Sequence, residues 1–206
     1  GGHRSRRLGG GDGARRVGLS DLAGNTPFAP RDGFPVVDAL IAQHSASLGR
    51  DFDAYRNHVC RVLNFFLALG APDEGLPEAV AIAAAFHDLG IWTDATFDYL
   101  EPSVRLASAH LVRMGREALL PEVAAIIVEH HKLRPYRGPF AASVERFRRA
   151  DLVDLSLGTL RCGLAPEVVG AVRAALPNAG FHARLLQLTA RQFLRTPWRP
   201  LPMMRW

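Results

Sequence analysis

The sequence predicts an all-α protein, a single-domain helical bundle. Three observations lead there. From Val36 onward apolar residues recur at helical spacing, no stretch of useful length alternates apolar with polar, and prolines and glycines fall where helices open and close. The chain has 206 residues, enough for one full core, and no internal repeat divides it. Three parts are expected: a flexible Gly/Arg-rich segment over 1–33, a helical domain over 34–195, and a basic tail over 196–206.

The first helix is expected from Val36 to Leu48. A longer one follows from Phe52 to Leu69, with Phe52, Tyr55, Val59, Val62, Leu63, Phe66 and Leu67 near helical spacing and Gly70 and Pro72 ending it. Pro77 opens the next helix and Gly90 is read as its stop. Pro102 and Ser103 open a helix to about Met114, and Pro121 opens one through His131. Pro135, Gly138 and Pro139 make a loop. Ser143 is read as the cap of a helix reaching about Leu157, and Pro166 and Phe181 begin the last two.

Composition narrows the class. Hydrophobic residues make up 48% and charged residues 22%, as in a water-soluble domain, and no apolar run reaches eighteen residues, so no membrane span is expected. The opening residues carry no apolar core of a secretory signal, and Cys60 and Cys162 are too few for a disulfide framework. A cytoplasmic protein with reduced thiols is the expectation. The net charge of +5 is concentrated at the two ends, read as tails rather than as a nucleic-acid surface. A basic protein also suits a small anionic substrate.

The informative feature is where Ala79-Val80-Ala81-Ile82-Ala83-Ala84-Ala85-Phe86 ends, at His87-Asp88. A helix apolar all round is buried. A histidine and an ionised aspartate there need partners, because an unpaired buried charge is costly. A metal ion satisfies both. His58, His110, His130, His131 and Asp151 are the further candidates, spread over separate helices. Imidazole with carboxylate suits Fe, Mn, Ni or Zn better than Ca or Mg. His58 and His110 could instead be core histidines, and Asp151 could pair with Arg148 or Arg149. Asp154, one turn on, is read as standing behind the ligands. Lys132 and Arg134 follow the histidines and could hold a phosphate or carboxylate, or form a solvated loop.

The order His58, His87-Asp88, Asp151 resembles the H…HD…D signature of the HD-domain superfamily of metal-dependent phosphohydrolases, over roughly residues 36–160. The resemblance implies an HD-type helical fold in which these four residues bind a divalent transition metal. His110 and His130 fall where dinuclear HD proteins carry additional histidines. On that pattern Asp88 bridges two ions, His58, His87 and Asp151 complete one site, and His110 and His130 complete the other. His131 then stands behind the ligands or faces substrate. No subfamily is matched in full. Lys132-Leu133-Arg134-Pro135-Tyr136 replaces the Gly-Tyr-Pro segment of the cyclic-dinucleotide enzymes. No His follows the HD pair in Leu89–Asp94, as it does in the diiron phosphonate-cleaving oxygenases.

The functional expectation is a phosphohydrolase acting on a small phosphate ester or nucleotide through metal-activated water. Asp88 and His131 are the catalytic candidates, and Lys132 and Arg134 the substrate clamp. The alternative is an HD-type mixed-valent diiron oxygenase that cleaves a C–H or C–P bond with O₂. A third reading is a helical sensor that keeps its metal for structure. Oligomeric state is not legible in the sequence.

Overall fold

The computed structural model describes residues 28–71, 74–198 and 201–204, together with Gly1. Most of the Gly/Arg-rich segment and four residues of the basic tail therefore lie outside the described residues. What is described is all-helical, with no strand, as expected. No described helix is long and apolar enough to cross a membrane.

The helices run in order as α1 Pro35–Ala42, α2 Ser45–Leu48, α3 Phe52–Ala68, α4 Glu78–Phe86, α5 Gly90–Thr93, α6 Leu100–Arg113, α7 Leu120–Glu129, α8 Ala141–Leu155, α9 Pro166–Ala175 and α10 Phe181–Arg195. Pro35, Pro121 and Pro166 each sit in a first turn, where the missing N–H costs nothing. α3 lies mainly against α8, and α4 packs between α1 and α7. These helices enclose one core in which Val37, Val59, Leu63, Ala83, Ile126, Phe147 and Val153 have no exposed surface. Every residue of α4 from Ala79 to Phe86 is buried, as a helix without a polar face requires.

Three local expectations are corrected. The first predicted helix is two, α1 and α2, broken at Gln43 and His44. Ser143 lies inside α8 rather than at its cap; Phe140, in the left-handed region at φ 60°, opens that helix. Gly90 does not stop α4. The helix ends at Phe86, and Gly90 starts α5. A Cβ on Gly90 would lie 2.6 Å from the Tyr99 carbonyl oxygen and 2.8 Å from Pro102 Cβ. Glycine is there because the start of α6 touches the backbone. Part of the expected tail also returns to the protein: Met203 is buried in a second small cluster with Ile91, Phe97, Tyr99 and Leu100.

Candidate metal centre

The cluster is built from the ends of α4, α7 and α8 and the middle of α3. His87 caps the C-terminal end of α4, and its Nδ1 bonds the Ala84 carbonyl oxygen at 2.8 Å. His130 caps α7 in the same way, Nδ1 to the Ile127 carbonyl oxygen at 2.6 Å. His58 Nδ1 bonds Asp154 Oδ2 at 2.7 Å. In each ring one nitrogen is thus occupied by an oxygen acceptor. The acceptor fixes the tautomer and leaves Nε2 with a bare lone pair, as in a metal-ligating histidine.

Those Nε2 atoms converge on two carboxylates. Asp88 Oδ2 lies 3.7 Å from His58 Nε2 and 3.6 Å from His87 Nε2. Its other oxygen, Oδ1, lies 3.3 Å from His130 Nε2 and 3.8 Å from His131 Nε2. Asp151 divides similarly: Oδ1 is 3.7 Å from His58 Nε2 and 3.9 Å from His87 Nε2, whereas Oδ2 is 3.6 Å from His131 Nδ1. Two groups result, each able to hold a metal ion, His58/His87/Asp88 and Asp88/His130/His131, with Asp88 common to both. Two side-chain atoms in their midst, Asp88 Oδ1 and His130 Nε2, are buried and have no hydrogen-bond partner. Orphaned polar atoms of this kind are rare in a core and call for a missing partner. An acceptor pair without a donor fits a cation.

The electrostatics agree in part. Burial lowers the pKa of His130, but the Asp88 carboxylate beside it and the charge of Asp151 raise it overall, so a metal there would displace a proton. Burial pushes His87 down to about 3, so its ring is neutral and free to coordinate. Burial also opposes ionisation of Asp88, but His87, His130 and His131 around it hold its carboxyl well below the usual range. Asp151 goes the other way, to about 6, through burial and the neighbouring carboxylates Asp88 and Asp154, against the pull of His130 and His58. Asp151 and Asp154 sit in the last turns of α8, where the helix dipole disfavours negative charge. A divalent ion would relieve both effects at once.

Asp154 stands behind the cluster, as expected. Its carboxylate receives Arg61 Nε at 2.5 Å and Arg61 Nη2 at 2.9 Å as well as His58. Burial raises its pKa, but the hydrogen bonds from His58 and Arg61 outweigh burial and lower it. Phe181, opening α10, stacks on the His58 ring at 4.0 Å between centroids. Arg61 was not among the sequence candidates. Its signal was present all the same: a charged residue within Val59–Leu63 of a buried helix demands an acid.

His110 is the predicted ligand that the fold leaves out. It lies on α6, whose core face is Ser103, Ala107 and Leu111, and one residue from Leu111 is about 100° away. Its ring is half-buried against Phe86, 5.6 Å between centroids, and it belongs to neither group. His131, expected behind the ligands or facing substrate, instead joins Asp88 and His130 in the second group. Neighbouring residues on a helix diverge, but α7 ends at Glu129, so His131 is free of helical geometry and folds back over His130, with ring centroids 3.9 Å apart. The Tyr99 hydroxyl bonds His131 Nε2. Burial, and then Asp88, hold that phenol protonated.

Beside His131 opens a cavity of about 280 Å³ lined by Lys132, Arg134, Tyr136, Arg137 and Met204, with Glu129 as the one acid. Both predicted clamp residues face it, and Arg137 joins them. Comparison of the chain with protein-family models, with curated proteins and with solved structures finds no match.

Proposed function

We propose that this protein is a metal-dependent phosphohydrolase of the HD type, acting on a small phosphate ester or nucleotide. The observation that carries the reading is the shared carboxylate. Asp88 turns one oxygen to His58 and His87 and the other to His130 and His131, beside a cavity with three cationic side chains and one acid, Glu129. One or two divalent ions (Fe, Mn, Ni or Zn) held by His58, His87, Asp88, His130, His131 and Asp151 would acidify a water and neutralise phosphoryl charge. In this reading Lys132, Arg134 and Arg137 bind the phosphoryl oxygens. The Tyr99 hydroxyl orients His131, and the apolar walls from α4 and α7 keep bulk water from the cluster.

The double group also favours a second reading, an HD-type diiron oxygenase, because two irons sharing a carboxylate is the arrangement such chemistry needs. Elemental analysis of freshly purified protein, followed by a panel of phosphate esters and nucleotides and by oxygen uptake on the reduced protein, separates the two. Hydrolysis that is lost in His87→Ala and Asp88→Ala supports the first reading. A metal-loaded protein that hydrolyses nothing in the panel and consumes oxygen overturns it.

A further inference from the structure

A second cavity lies on the far side of Asp154 from the cluster, and its chemistry is that of an anion site. It holds about 470 Å³ between the end of α8, one face of α9 and the start of α10. Its floor is the Arg61–Asp154 pair, with Arg61 Nη1 further fixed by the carbonyl oxygens of Leu176 and Pro177 at 3.2 and 3.1 Å. Arg161 and Arg173 both line it, the latter braced by the Leu157 carbonyl oxygen. His182 lines it as well, its Nε2 donating to the Asp154 carbonyl oxygen at 3.0 Å.

The charge is one-sided. Three arginines line the cavity, and among its described lining residues Asp154 is the only acid, already matched by Arg61. A net charge of two positive units remains on Arg161 and Arg173, whose guanidinium forks suit phosphate oxygens. The space is made by the sequence of α9. Pro166, Val169, Gly170, Arg173 and Ala174 share the face turned to the cavity, and a Cβ on Gly170 would meet no atom within 4 Å. The volume exceeds that of a bare phosphate and lies in the range of small-ligand pockets.

We propose that this cavity binds the phosphoryl dianion of a phosphate monoester of up to mononucleotide size, at a site distinct from the metal centre. The dianion sits between Arg161 and Arg173, and the remainder of the monoester lies over Gly170 and Ala174. The proposal does not rest on the metal centre's chemistry.

Calorimetric titration of the full chain with adenosine 5′-monophosphate, and separately with inorganic phosphate, tests it. Wild type and Asp88→Ala are compared with Asp88→Ala carrying in addition Arg161→Glu or Gly170→Leu, so that binding at the metal centre does not mask the cavity, and each is checked for folding by its thermal transition. Arg161 is exposed, and leucine is a better helix former than glycine, so neither pocket substitution should impair folding. The expected result is monophosphate binding that persists in Asp88→Ala, is weakened at least tenfold when Arg161→Glu is added and is lost when Gly170→Leu is added. Phosphate binding as tight as the monoester identifies free phosphate as the occupant and supports the same site. Binding in Asp88→Ala that survives both pocket substitutions, or no binding in Asp88→Ala at millimolar ligand, overturns the proposal.

Discussion

The Nε2 atoms of His58 and His87 face one another at 3.0 Å, while the Nδ1 atom of each ring is bonded to an oxygen acceptor. Two lone pairs at that distance repel unless a positive charge lies beside them. A proton or a metal ion between them would each remove that repulsion, so the pair is a place where a cation could be held. His87→Ala is expected to lower metal affinity by more than the roughly 10- to 100-fold that loss of a partner behind a ligand costs. Elemental analysis after dialysis against a graded chelator series measures it. Unchanged retention would remove His87 from the centre.

His110 and His131 can be told apart in the same way. His110→Ala is expected to leave metal content unchanged, because that ring packs on Phe86 outside both groups. His131→Ala is expected to reduce it, because that ring forms the second group with Asp88 and His130. The opposite pattern would restore the ligand set that the sequence suggested.

Arg61 and Asp154 are both about 2% exposed and hold each other through two hydrogen bonds. Removing one member of such a pair leaves an uncompensated buried charge. Arg61→Met is expected to destabilise the fold by about 3–5 kcal/mol, read from urea unfolding. A change below 1 kcal/mol would mean that His58 alone satisfies Asp154.

The same carboxylate gives a pH dependence of definite sign. The native state lowers the pKa of Asp154, so the unfolded chain binds its proton more tightly. The contribution is complete above the unfolded value of about 3.9 and is lost as pH falls through the lower native value. Acid unfolding of Asp154→Asn should therefore lose part of the slope that wild type shows below about pH 4. Parallel curves would place the acid sensitivity elsewhere.

Gly90→Ala is a test of packing. The added Cβ meets the Tyr99 carbonyl oxygen and Pro102 within 2.8 Å, and backbone is slow to yield. A loss of about 1–3 kcal/mol in thermal or urea unfolding is expected. Unaltered stability would show that the start of α6 can shift freely.

Much of the fold was legible because its signals are local. The apolar stripes of α3 and α7 and the prolines at Pro121 and Pro166 need no knowledge of the partner helix. Gly90 misled because a glycine after a helix can mark either an end or a close approach, and only the distance to Tyr99 decides. His58, His87, Asp88, His130 and Asp151 come together as their order suggested. His110 does not, because its orientation depends on which face of α6 the neighbouring helices cover. Arg137 was overlooked in a loop with no periodicity to place it, and Tyr99 reaches His131 across 32 residues.

His87 and His130 each cap the C-terminal end of a helix, and each bonds back to the carbonyl three residues earlier. α4 and α7 therefore act as rulers, fixing where the imidazoles stand by the number of residues that precede them. One residue inserted within either helix would turn its histidine by about 100° and advance it by about 1.5 Å, taking it off the shared carboxylate. The loops between helices impose no such count. In any lineage of this chain, length should drift in the connections while the spans from Pro77 to Asp88 and from Pro121 to His131 stay constant.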